Sequence, residues 1–206
     1  MSPKQLGFYF PAEFAKHKST WLSWPHKEAS WPGKIGSIFP SYTAFIKTLV
    51  RFEDVNINVC DDAMKSQATM ILQSAGVDLS RVNFFMHPTN DAWCRDHGPA
   101  FLMNKNDASK KAIVDWNYNA WGNKYPPFDL DDVVPTKIGE ALGLKVFHPG
   151  IIMEGGSVDF NGAGTVITST ACLLNPNRNP HLNQSDRKST RLNSSHEWIS
   201  RMPSSA

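Results

Sequence analysis

AFLMNKNDASKKAIVDWNYNAWGNKYPPFDLDDVVPTKIGEALGLKVFH, residues 100–148, carries the fold in its periodicities. Residues 100–103 read as a strand, NKNDASKK as the turn after it, and residues 112–116 as a second strand. A long loop containing NYNAWGNKYPP leads to Val133, Val134, Ile138, Ala141 and Leu142, whose spacing predicts a helix of about a dozen residues closed by Gly143. Residues 145–148 then form a third strand. Strand, strand, helix, strand is one ββαβ unit, and it predicts an α/β or α+β fold with a mixed sheet.

The same alternation continues on both sides. Upstream, residues 19–24 (STWLSW) form a strand stopped by Pro25. Ile38, Tyr42, Phe45, Ile46 and Leu49 then share one helical face, with Pro40 in the first turn of that helix. Val55, Ile57 and Val59 alternate with Asn56 and Asn58, the pattern of a half-buried strand. Asp61 or Asp62 caps a second helix whose Met64, Ala68, Ile71 and Leu72 face inward and which Gly76 ends. Residues 82–86 are a strand and residues 87–98 a polar segment. Downstream, residues 151–153, 157–161 and 165–169 are short strands, with Asn161-Gly162 as a type I′ hairpin turn between the last two.

Composition narrows the function classes. The chain has 206 residues, with 21 Lys+Arg against 19 Asp+Glu and 41% hydrophobic residues. That is enough apolar material for a packed core, and the near-neutral balance argues against a nucleic-acid partner. No apolar run reaches membrane-spanning length, so no membrane partner is expected, and MSPKQLGFYFPAEF does not have the build of a secretory signal. Cys60, Cys94 and Cys172 are odd in number and far apart, which predicts a reducing, cytoplasmic setting without disulfides. Neither the cysteines nor the histidines fall at metal-ligand spacing, so no metal is expected.

The distribution of charge says more than its total. Residues 185–206 hold four basic and two acidic residues, which leaves 17 of each sign in residues 1–184. The tail also has seven serines in 22 residues and no sustained period. Translated backwards, DRKSTRLNSSH (186–196) reads as a common sequencing-library adapter. Residues 185–206 are therefore expected to be a disordered, non-native tail, with the natural gene interrupted near Gln184.

Three constellations stand out from the body: TNDAWCRDHGPAF (89–101), NAWG (119–122) and EGGS (154–157). The first crowds Asp91, Asp96, Arg95 and Trp93 into a loop between strands, where functional groups are commonly displayed. Taken singly, composition favours plainer readings. These are a solvated loop anchored by Trp93, a packed aromatic loop, and a strand-end bulge with Glu154 in solvent.

Taken together with CLLNPNRNPHL (172–182), these motifs stand in the order and at about the separations of the agmatine deiminase family, which the chain resembles over residues 1–184. The resemblance implies a five-bladed, pseudo-fivefold α/β propeller (pentein) of ββαβ units, here incomplete, with residues 1–184 as the N-terminal part of the catalytic domain. It implies a hydrolase acting on amidine C–N bonds, with agmatine as the small-molecule guanidine substrate, N-carbamoylputrescine and ammonia as products, no cofactor, and room for a homo-oligomer. Asp96 matches the aspartate that binds the guanidinium, Glu154 the glutamate that binds and polarises it, and Trp93 a residue near the substrate. The chemistry suits these types. A guanidinium is a planar cation with five N–H donors, and carboxylates are its bidentate partners. Trp93 adds an apolar wall or a cation–π contact of about 0.5–2 kcal/mol.

In the family a cysteine thiolate attacks the guanidinium carbon, ammonia leaves, and water hydrolyses the thiouronium with a histidine as acid and base. That histidine, in an HxD motif, and that cysteine lie downstream of the matched region, so this chain is expected to be inactive. Cys94, Cys60, Cys172, His97 and His148 read as structural residues. A peptidylarginine or arginine deiminase-like enzyme would perform the same chemistry on another guanidine, while NAWG and NPNRNP favour agmatine. A non-catalytic binding protein of the same architecture, or a fragment that does not fold stably, are the other readings.

Overall fold

The computed structural model describes residues 1–183; the expected non-native tail, residues 185–206, lies outside them. In chain order the elements are β1 (Phe8–Tyr9), β2 (Ser19–Ser23), α1 (Ile35–Leu49), β3 (Asp54–Val59), α2 (Asp62–Ser74), β4 (Val82–Met86), α3 (Cys94–His97), β5 (Ala100–Asn104) and β6 (Lys111–Val114). There follow α4 (Ala120–Asn123), α5 (Asp129–Asp132), α6 (Val134–Leu142), β7 (Lys145–Phe147), β8 (Val158–Phe160), β9 (Val166–Thr168) and α7 (Thr170–Leu173). They divide into two compact units. The first unit comprises Met1–Ala15, Arg95–Pro126 and the chain from Asp132 on, and the second comprises Lys16–Cys94 with Pro127–Asp131.

The second unit is a parallel sheet, β2-β3-β4, in which α1 and α2 make the two crossovers that parallel pairing demands. Leu22 lies opposite Ile57, and Ile57 opposite Phe84. One face buries Leu22, Val55, Ile57 and Val59 against Ile46, Ala68 and Leu72 of the helices. Asp61 caps α2 by accepting from the Met64 amide at 2.7 Å, as its sequence position predicts.

Two expectations are corrected here. β3 is buried on both faces: Asn58 is 1% exposed. As the central strand it carries a cross-strand ladder on its second face, where Asn56 bonds Ser19 and Asn83, and Asn58 bonds Ser23 and His87. Alternation in the sequence therefore separates apolar from amide, not inside from outside. Helix α1 also starts at Ile35, a turn before the apolar stripe, so Pro40 sits beyond the first turn.

The first unit contains the predicted ββαβ motif. β5 and β6 pair antiparallel with Phe101 opposite Ile113, α6 crosses over, and β7 joins β6 in parallel with Val146 opposite Ile113. β1 pairs with the outer edge of β5. Helix α6 is nine residues long, shorter than expected, and Gly143 ends it at φ 63°. It approaches the sheet closely because Gly139 faces the Val146 methyl, where a Cβ would collide. Residues 151–153 do not form a strand; a single bridge joins Ile152 to Asn117. The β8–β9 connection is not a two-residue turn either. Asn161 Oδ1 accepts from the amides of Ala163 and Thr165, so the loop extends to five residues, and only its two glycines have positive φ.

Candidate functional site

Asp96 lies in the single turn α3, and its position is set by the EGGS segment. Its Oδ1 accepts from the Gly156 amide at 2.9 Å. The two glycines are dictated by this approach. A Cβ on Gly155 would land on the carbonyl oxygen of Arg95, and one on Gly156 would land on the Asp96 carboxylate. The glycines thus do bring backbone close to another group, and that group is the preceding site motif.

Glu154 is buried, 3% exposed, which corrects the picture of a bulge with its carboxylate in solvent. A buried carboxylate needs a partner. Arg178 supplies it, donating from Nε to Oε1 at 2.8 Å. Asp96 in turn is held above the usual carboxylate range, first by burial and then by the negative charge of Glu154. The Gly156 amide, Arg95 and a hydrogen bond from the Trp121 side chain oppose that rise.

NAWG and NPNRNP are joined to this cluster. Asn119 Nδ2 donates to the Asn177 carbonyl at 2.8 Å, and its Oδ1 accepts from the Gly122 amide at 2.8 Å. Ala120, Trp121, Gly122 and Asn123 have φ of 48°, 58°, 81° and 64°, so α4 is a left-handed turn. For L-residues with a Cβ this costs roughly 1–2 kcal/mol each, and such strain is characteristic of functional segments. Asn179, 1% exposed, ties the other motif down: its Oδ1 accepts from Ile152 N at 3.0 Å, and its Nδ2 donates to Ile152 O at 2.8 Å and Leu173 O at 2.9 Å. The motif therefore clasps the segment leading into Glu154.

Trp93 belongs to the second unit. There it stacks on Trp31, centroids 5.6 Å apart, and lines an apolar groove of about 360 Å³ with Pro25, Ile38, Tyr42 and Phe45. The residues before it are anchored within the same unit. Buried Asp91 accepts from Ser30 and lies 3.7 Å from Lys27. Asp131, pushed up to about 6 mainly by burial, accepts from the amides of Asn90 at 2.7 Å and Asp91 at 3.2 Å. Asn90 Oδ1 returns the bond to the amides of Leu130 and Asp131.

The remaining sulfur and imidazole groups have other surroundings. Cys94 Sγ donates to the Trp21 carbonyl, His97 is buried with its ring 5.8 Å from Tyr118, and His148 lies 3.5 Å from Asp115. Cys60, Cys94 and Cys172 form no disulfide. Among the described residues, no cluster of three His, Cys, Asp or Glu could hold a metal ion, and no helix is long and apolar enough to cross a membrane.

Sequence reasoning named Asp96 and Glu154, and both fall in one cluster. It passed over Arg178 and Trp121, which lay inside quoted motifs, because a pairing 24 positions apart and an indole pointed at a carboxylate leave no periodic signal.

Residues 9–194 match the family described as Porphyromonas-type peptidyl-arginine deiminase. The chain belongs to that family. Among curated relatives, the agmatine deiminase of Stutzerimonas stutzeri is 37% identical over 188 residues, covering 89% of this chain and 49% of the relative. That of Ectopseudomonas mendocina is 37% identical over 190 residues, covering 90% and 50%. The chain thus spans about half the length of the curated relatives it matches. Among solved structures, the agmatine deiminase of Enterococcus faecalis superposes with a TM-score of 0.80 at 32% identity, covering 91% of this chain and 50% of that one. The C. jejuni agmatine deiminase gives 0.71 at 30%, covering 88% and 51%. The fold class is α/β, that of the pentein propellers to which these deiminases belong.

Proposed function

We propose that the chain supplies the guanidinium-binding carboxylates of an agmatine deiminase, with Asp96 and Glu154 gripping the substrate cation. The supporting observation is the Gly155-Gly156 turn, which seats the carboxylate of one motif on the backbone of the other. A buried carboxylate raised by a like-charged neighbour gains from an incoming cation, since the ligand offsets both the burial and the repulsion. Asp96, half-buried and beside Glu154, is a group of this kind. In the full reaction a thiolate adds to the guanidinium carbon, the C–N bond breaks with proton transfer to the departing ammonia, and water cleaves the C–S bond to give N-carbamoylputrescine.

On this reading the family's cysteine and HxD histidine lie outside residues 1–184, which form a binding half that releases no ammonia by itself. The reading also puts the enzyme in a reducing cytoplasm, the setting expected from an odd number of widely separated cysteines.

Calorimetric titration with agmatine tests binding. Affinity is expected to fall by at least about tenfold in Asp96→Asn, since a charge-assisted hydrogen bond is worth roughly 1.5–3 kcal/mol. It should also weaken as pH drops through the raised pKa of Asp96, because the protonated acid no longer attracts a cation. Equal binding by wild type and Asp96→Asn would reject the assignment. Ammonia release above the buffer rate, lost in Asp96→Ala, would reject the inactivity.

A peptidylarginine deiminase is the second reading, favoured by the description of the matching family. Competition between agmatine and an arginyl peptide separates the two.

A further inference from the structure

Glu154 already holds a guanidinium. Arg178 reaches it through a single Nε contact, and both side chains are largely shielded from water, 13% and 4% exposed. A buried ion pair is weak evidence for stability, since the desolvation it suffers offsets much of its attraction. Its retention at this place calls for another account.

The surroundings indicate one. Arg178 is aimed by the clasp that Asn119 and Asn179 form around it, from the Asn177 carbonyl on one side to Ile152 on the other. Gly122 is part of the same fit, because a Cβ there would press on the Asn177 side chain and crowd the Arg178 guanidinium. Two conspicuous motifs and a strained left-handed turn thus converge on one arginine. The contact occupies Oε1 alone, whereas a bidentate fork would engage both oxygens.

We infer that Arg178 is a positioning residue: it fixes the orientation of the Glu154 carboxylate, sets a positive charge against it beside Asp96, and leaves Oε2 to face a ligand guanidinium. This inference rests on the reading of Glu154 as a ligand-binding group. Arg95 also acts on Asp96, but its own charge is paired with Glu13, so two carboxylates and one fixed guanidinium leave a net charge of −1, which matches one monovalent guanidinium head. Without Arg178 the coupling between the two acids would be opposed by no fixed cation at Glu154, and Asp96 would feel the full negative charge of its neighbour. The rise already imposed on Asp96 by Glu154 is the sign of that coupling.

The test uses the chain itself, isotopically labelled, and follows the Asp96 carboxyl carbon and the Arg178 Nε–H by NMR. In wild type the Nε–H signal should be resolved and slow to exchange, and Glu154→Gln should abolish that protection. Arg178→Gln should move the Asp96 titration to higher pH, whereas Arg178→Lys, which keeps the charge, should leave it near the wild-type position. An Asp96 titration unchanged in Arg178→Gln would overturn the inference. Should Arg178→Gln give no dispersed spectrum, wild type decides. The Nε–H signal must persist through the pH range in which Asp96 titrates, and its collapse together with Asp96 would overturn the inference equally.

Agmatine is then added to the wild-type chain. Failure of agmatine to shift the Asp96 signal, with the Arg178 results as expected, would remove the proposed substrate and leave the positioning role standing.

Discussion

Gly156 illustrates how one missing Cβ shapes this protein. Gly156→Ala is expected to lose about 1–3 kcal/mol, the cost of overpacking, because the added methyl meets the Asp96 carboxylate, a side-chain end held in place by hydrogen bonds from the Gly156 amide and the Trp121 side chain. Urea unfolding measures the loss, and agmatine titration should show weakened binding from the same displacement. Asp131 carries a separate prediction. Its folded pKa of about 6 lies above the ordinary aspartate value of 3.8, so its stabilising contribution is fully present below the unfolded value and is lost as pH rises through the folded one. Between roughly pH 4 and 6 this group alone should remove on the order of 3 kcal/mol of stability. Asp131→Asn keeps an oxygen to accept from Asn90 and Asp91 and should flatten that slope in urea unfolding run at several pH values. At this scale the sequence was legible for Asp61, whose place before a helical stripe marks it as a cap, while Asp96 and Glu154 stood out only through the resemblance of their motifs. It was opaque for Arg178, since an arginine among asparagines and prolines reads as a solvated cation until its partner is known.

Among the elements, periodicity succeeded wherever one face meets a core. α1, α2 and the ββαβ unit were all readable because their apolar positions recur at helical or strand spacing. β3 was misread because its asparagines hydrogen-bond across the sheet and so satisfy their own burial. Asn58→Ala should therefore cost about 1–3 kcal/mol by leaving polar groups of Ser23 and His87 without this partner, whereas a solvent-facing asparagine would be nearly silent. The hairpin loop was misread for a related reason: Asn161 spends its side chain on two amides and so supports a longer loop. The turn α4 could not be foreseen, because Ala and Trp have no preference for positive φ. Ala120→Gly should stabilise the chain by up to about 1 kcal/mol by relieving that conformation, provided the Trp121 indole keeps its bond to Asp96.

For the molecule as a whole, the neutral balance of residues 1–184 yields a simple test. A version ending at Gln184 should lose its retention on a cation exchanger at pH 7, since the net charge of +2 resides entirely in residues 185–206. The resemblance seen in four short motifs extended to fold and family because those motifs are spaced by the architecture. The contacts between them depend on three-dimensional closure that spacing does not encode. The EGGS turn carries a last consequence, for evolution. Substitution can tune a separation set by side chains in small steps, whereas Gly155 and Gly156 set theirs by main chain against main chain and main chain against carboxylate. Drift at these two positions is closed, so descendants would have to vary the surroundings of Asp96 and Glu154 and inherit the seat between their motifs unaltered.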